Sequence, residues 1–139
     1  MRYPVNIEKE PTGPGWNVSF PDIPEALTCG DTFEDALEMA KDCLVTAMDF
    51  YVEDRRAVPA PSKAKRDQPV VDLPASVASK ILLLNEMVRQ KVRPIDMAAQ
   101  LGVSKQTFNR VMDLQHPTKV DQIADALKLL GKRLELSVA

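Results

Sequence analysis

Histidine, cysteine and aromatic residues are scarce in this chain, and their scarcity removes several kinds of chemistry at the outset. The one histidine, His116, lies in a loop just before Pro117, and with no ligand-spaced neighbours it cannot make a metal site by itself. The two cysteines, Cys29 and Cys43, stand in unrelated contexts. Neither a disulfide scaffold nor a zinc site is expected of them, and a reducing, cytoplasmic compartment fits. No apolar run approaches the length of a membrane span, and the opening MRYPVNIEKE lacks the apolar stretch of a signal peptide. A nucleotide-cradling glycine loop and a serine or cysteine triad are missing as well. Carboxylates at Asp22, Glu25, Asp31 and Glu34 could gather a divalent ion, but surface turns and helix N-termini collect carboxylates without one. A non-enzymatic protein with no metal and no cofactor is expected.

What is present is charge, unevenly distributed. The 139 residues carry a net charge of -2, yet residues 1–58 alone hold five basic and twelve acidic side chains. Residues 59–69 sum to +2 and residues 70–139 to +3. A protein built only to bind nucleic acid seldom sets an acidic block beside its basic one. Two domains with differently charged partners explain the contrast better.

The pattern at Arg2–Glu10 alternates, with Tyr3, Val5 and Ile7 on one side, as in a strand. Pro4 argues against a fully paired central position. The turn PTGPG at 11–15 leads to a second strand at Trp16–Phe20, making a hairpin, and Ala26–Thr28 can return as a third. Thr32 or Asp31 caps a helix with Glu34 and Asp35 in its first turn. Apolar residues from Phe33 through Leu37, Ala40, Leu44, Ala47, Met48 and Tyr51 carry it to about residue 53. This sheet-plus-helix unit, residues 1–58, bears a patch of Asp22, Glu25, Asp31, Glu34, Asp35 and Glu38 that suits a basic protein partner. Trp16 and Phe20 are its candidate aromatic contacts, although Trp16 could equally be core. The edge near Arg2–Glu10 could add main-chain pairing.

Residues 59–69 have the proline, alanine and lysine character of a linker. Beyond it, residues 70–139 read as helical between two short strands. Val70, Val71 and Leu73 form the first, held between prolines; Leu134, Leu136 and Val138 alternate through the second. Two strands make a marginal sheet. Pairing across a dimer axis would bury their edges, so these six residues are the candidate dimerisation set. The alternative is a monomer whose last strand packs on its own helices.

Within that region, PIDMAAQLGVSKQTFNRVM at 94–112 divides into a short helix, a turn at Gly102-Val103-Ser104 and a second helix. Pro94 suits the first helical position, Gly102 a left-handed C-terminal residue, and Ser104 an N-cap. With Met97, Ala98, Leu101, Val103, Phe108 and Val111 turned inward, Lys105, Gln106, Asn109 and Arg110 point out. Glutamine and asparagine can bond adenine bidentately, and arginine and lysine serve guanine or phosphate. With Ser104 and Thr107 beside them, these four form a candidate DNA-binding surface. An ordinary αα-hairpin with a wetted face has similar chemistry.

The stretch RYPVNIEKEPTGPGWNVSFPDIPEALTCGDTFEDALEMAKDCLVTAMDFYVED resembles the N-terminal module of HicB-type antitoxins: strand, FPDIP, short strand, glycine-acid-threonine, helix. LPASVASKILLLNEMVR followed by MAAQLGVSKQTFNRV resembles the helix-turn-helix type of C-terminal domain in that family. The resemblance implies an α+β chain, with a degenerate RNase H-like module joined to a phage-repressor-like helix-turn-helix domain. It also implies a partner, a small basic HicA-type ribonuclease toxin that cleaves mRNA, and double-stranded operator DNA bound by a homodimer. Lys105, Gln106 and Arg110 fall where such repressors place base-contacting side chains, and Asn109 falls near the backbone or a flanking base. Pro94-Ile95-Asp96 stands where they often carry a glutamine that braces a phosphate contact, so that contact is not carried over. Other readings are a stand-alone regulator whose first domain senses a small molecule, and a metal-dependent nuclease.

Overall fold

A computed structural model describes all residues from Met1 to Ala139 and divides them into two compact units. One comprises Met1–Tyr51 with Val58–Pro74, and the other comprises Val52–Ala57 with Ala75–Ala139. The class is mixed α+β, with five helices and two small antiparallel sheets.

In the first unit the opening segment changes partners midway. Strand β1 (Arg2–Pro4) pairs antiparallel with β5 (Val70–Asp72), in the register Arg2 to Asp72 and Tyr3 to Val71. After Val5 the chain continues as β2 (Asn6–Lys9), which pairs with β3 (Trp16–Ser19), and β3 pairs in turn with β4 (Leu27–Gly30). The single strand expected over Arg2–Glu10 is therefore two. Proline at 4 has no N–H to donate, and the next amide, Val5 N–H, goes to the carbonyl of Pro69.

That pairing corrects the expected use of Val70, Val71 and Leu73. They do not edge the helical unit: β5 lies against β1, Val71 and Leu73 are buried, and Leu73 N–H donates to Met1 O. Period-two patterning identifies a strand without identifying its partner. Residues 59–69 likewise are held to the first unit rather than hanging free. Tyr3 Oη donates to Pro59 O at 2.6 Å, Ser62 donates through N and Oγ to Asp22 at 2.9 Å, and Gln68 bonds Asn6.

Helix α1 (Phe33–Asp54) buries Ala36, Ala40, Leu44, Ala47, Met48 and Tyr51. These join Tyr3, Val5, Val18, Phe20, Ile23, Val58 and Val71 in the core. The start of α1 is set by Thr32, whose Oγ1 accepts from Asp35 N at 3.0 Å, and by Gly30. A Cβ at Gly30 would fall 2.4 Å from Ala36 N and 2.6 Å from Ala36 Cα, so only glycine lets the helix start this close to the end of β4.

Tyr3 is fully buried. Burial first, then the neighbouring Asp22 and Tyr51, push its phenol up to about 12 from an ordinary 10.0. Because the folded value lies above the unfolded one, the fold is favoured in full below pH 10, and the contribution is lost as the pH rises towards 12. Titration followed by tyrosinate absorbance is expected to show one of the two tyrosines ionising near pH 12. That step should vanish in Tyr3→Phe.

The second unit contains α2 (Ala75–Gln90), α3 (Pro94–Leu101), α4 (Lys105–Met112) and α5 (Val120–Leu129). Its core is Val77, Ile81, Leu83, Leu84, Met87, Met97, Ala98, Phe108, Ile123, Ala126 and Leu127. Residues 132–139 form no strand within the chain. Leu134 is half-buried, and Leu136 and Val138 are 79% and 100% exposed. An isolated alternating segment has no edge to pair with, so its pattern alone does not make it a strand.

Candidate functional site

The α3–α4 pair presents the first candidate surface. Gly102 adopts φ 70°, ψ 30°, and its N–H reaches Ala98 O and Ala99 O, while Val103 N–H also donates to Ala98 O. This left-handed closure satisfies the last carbonyls of α3 and reverses the chain. Ser104 then caps α4: its Oγ accepts from Thr107 N at 3.1 Å and donates to Thr107 Oγ1 at 2.9 Å. Thr107 is thus occupied with the cap, which separates it from the other candidates. Phe108 is fully buried, with Val111 and Met112 beside it.

That anchoring leaves Lys105, Gln106, Asn109 and Arg110 exposed on the opposite face. None of the four side chains is engaged in an intramolecular hydrogen bond or ion pair. The surface has two amides and two cations within two helical turns, all available to an outside ligand.

Beneath the far end of α4 lies a residue that sequence reasoning passed over. Lys80, only 1% exposed, directs Nζ at three carbonyls: Asp113 O and His116 O at 2.6 Å and Arg110 O at 3.3 Å. Three ammonium protons meet three acceptors. Positive charge at a helix C-terminus is favourable, and the same contacts fix the 113–116 turn. Burial pulls the ammonium below the usual lysine range, and the Asp113 carboxylate opposes that shift. A signal was present, because Lys80 falls on the same helical stripe as the buried Val77, Leu84 and Met87.

The acidic residues of the first unit do not form one uniform patch. Asp31, Glu34 and Asp35 are exposed around the start of α1. Asp22 is half-buried and accepts both bonds from Ser62, and Glu25 accepts from Tyr51 Oη at 2.6 Å. Phe20, expected as a surface contact, is 3% exposed and belongs to the core; alternation continues one residue past β3 and turns it inward. Trp16 is half-buried, edge-on to Phe33 at 5.5 Å between centroids, with Lys9 Nζ 6.0 Å from its ring. Of the two aromatics, Trp16 alone retains a partly open face.

Sequence reasoning also missed a groove of about 330 Å³ between β4 and α1. Leu27, Thr28, Met39, Cys43 and Phe50 line it, with Glu25 and Asp42 on its walls. No group of three or more histidine, cysteine or acidic side chains is positioned to hold a metal ion, and no helix is long and apolar enough to cross a membrane.

Comparison with known proteins gives this geometry its setting. The family model described as the HicB_like antitoxin of bacterial toxin-antitoxin systems matches residues 2–82. Antitoxin HicB 2 of Photorhabdus laumondii is 54% identical over 136 residues, covering 98% of this chain and 95% of the relative. Antitoxin HicB of Escherichia coli strain K12 is 46% identical over 136 residues, 98% of each chain. Antitoxin HicB of Pseudomonas fluorescens is 36% identical over 139 residues, 99% of this chain and 94% of the relative. Similarity at this level from end to end takes in both units, and the chain belongs to the HicB-like antitoxin family.

Proposed function

We propose that this chain is an antitoxin that masks an mRNA-cleaving, HicA-type toxin with its first unit and represses its own operon with its second. The observation that carries the reading is the division of charge within one family member. Carboxylates dominate residues 1–58, whereas α4 offers Lys105, Gln106, Asn109 and Arg110 with no internal partner. A ribonuclease that grips RNA has a positive surface, and an acidic module can occupy it by complementarity. The chain does no chemistry of its own; it binds.

In this reading the α3–turn–α4 segment is a helix-turn-helix with α4 in the major groove. Operator half-sites are read by a dimer, for which the tail residues Leu134, Leu136 and Val138 are the remaining dimerisation element. Paired with the tail of a second copy, they would gain the edge that they lack in one chain. Sedimentation should then report an even oligomer, with monomer appearing on deletion of 133–139.

The central test is co-expression with the small reading frame next door, followed by pull-down and an RNA-cleavage assay. A stable complex is expected, with cleavage only after this chain is removed. Cleavage indifferent to this chain would sink the neutralising role. Arg110→Ala should weaken binding to the upstream operator duplex by about 1–3 kcal/mol if it reads a base. A loss equal on scrambled DNA would reassign it to phosphate. The small-molecule alternative gains little from the first unit, because its groove carries carboxylates and leaves Leu27 and Phe50 67% and 49% exposed.

A further inference from the structure

The three-stranded sheet runs β2-β3-β4, so β4 has one edge with no neighbouring strand. No backbone bond outside the β3 ladder involves residues 27–30. Beside this edge α1 carries a second stripe, Met39, Cys43, Thr46 and Phe50, distinct from its core stripe and spaced for one helix face. Met39 and Phe50 are 44% and 49% exposed, and Leu27 on β4 is 67% exposed. The stripe extends for about 16 Å of helix, the length of about five residues of extended strand. Helix α1 thus has more apolar width than β4 covers, by about one strand.

The charge around this opening selects its occupant. Glu25 and Asp42 form its walls, and from Asp22 to Asp54 the chain carries ten carboxylates and a single basic residue, Lys41. Two copies joined β4 to β4 would set this acidic surface against its own mate, and like-charge apposition across an interface is unfavourable. A segment with lysine or arginine on its outer side and apolar residues at alternate positions has the complementary pattern.

We infer that the open β4 edge and the Met39–Phe50 stripe receive an extended, basic segment of the toxin, added as a fourth strand. This rests on the toxin-masking reading and specifies its docking mode. Main-chain bonds to β4 supply the pairing, and the groove takes the alternate apolar side chains.

Both cysteines report on this place, since Cys29 lies exposed on β4 and Cys43 lines the groove. The experiment uses the full chain alone and in complex with the toxin co-expressed from the adjacent reading frame. It follows alkylation of each cysteine by mass spectrometry and amide exchange over residues 27–30. In the complex, alkylation and β4 exchange should slow at least ~10-fold, and Met39→Glu with Phe50→Glu should weaken toxin binding ~30-fold. Both substitutions are at exposed positions, and an unchanged urea transition verifies that the variant is folded.

A complex with unprotected β4 amides and normal affinity in the double variant would overturn the strand addition while leaving toxin masking intact. No complex at all would overturn both. Protection already present in the chain alone, and lost on dilution, would assign the edge to a second copy and overturn the toxin as its occupant.

Discussion

Lys80→Met is expected to lower the stability of the helical unit by about 3 kcal/mol. Methionine matches the lysine stem in length and apolar character, so the substitution removes little more than the ammonium. What it takes away is the charged donor shared by the carbonyls of Arg110, Asp113 and His116. Each of these keeps one longer bond, from Asp113 N–H at 3.2 Å, His116 N–H at 3.1 Å and Thr118 Oγ1 at 3.4 Å respectively. A hydrogen bond from a charged donor contributes about 1.5–3 kcal/mol. The loss of three is offset in part by the donors that remain and because the charge no longer has to be desolvated. Lys80→Gln, with two N–H donors, should lie between methionine and the parent. Urea unfolding followed by circular dichroism measures the series. A methionine variant within about 0.5 kcal/mol of the parent would mean that water reaches those carbonyls and that the lysine is dispensable. Since Arg110 contributes one of the acceptors, the end of α4 should also loosen. Operator affinity of Lys80→Met should then fall more on the specific duplex than on scrambled DNA, although Lys80 touches neither.

Gly30→Ala is expected to cost about 3 kcal/mol, towards the upper end for overpacking. The reason is purely steric. The added methyl would meet Ala36 N at 2.4 Å, Ala36 Cα at 2.6 Å and Asp35 C at 2.8 Å, all of them backbone atoms. No rotamer relieves such a contact, so the first turn of α1 must lift from the end of β4. Gly102→Ala is the informative contrast. Its Cβ would meet nothing within 4 Å, but φ is +70°, so only the left-handed penalty of about 1–2 kcal/mol applies. A Gly30 variant no worse than the Gly102 variant would show that the helix start yields easily.

The parts of the fold that could be read from the residues are those set by neighbours in the chain. Ser104 caps, Gly102 turns left-handed and Phe108 faces inward because of residues within four positions of each. The outer face of α4 follows from them by elimination. The partner of Val70–Asp72 is set instead by Arg2–Pro4, and no local pattern encodes a pairing across that distance. Phe20 was misjudged because it ends the strand read at Trp16–Phe20 and precedes Pro21, where a side chain can face either way, whereas its burial follows from continuing the alternation of β3 past Ser19. Lys80 was overlooked for a different reason: charge suggests solvent, and its stripe position was the contrary clue. The groove between β4 and α1 needed coordinates, because its walls come from separate elements.

The pairing of β1 with β5 also bears on how the protein is made. Arg2 leaves the ribosome well before Asp72, its partner in the ladder. At about 5–20 residues per second, roughly 4–14 s of translation separate the two. Through that interval the first strand has no mate, and a nascent chain halted at residue 58 would never acquire one. The acidic unit is completed only when Pro74 has emerged, at the point where α2 begins. Vectorial synthesis thus makes residues 59–74 the closing act of the first unit rather than a prelude to the second.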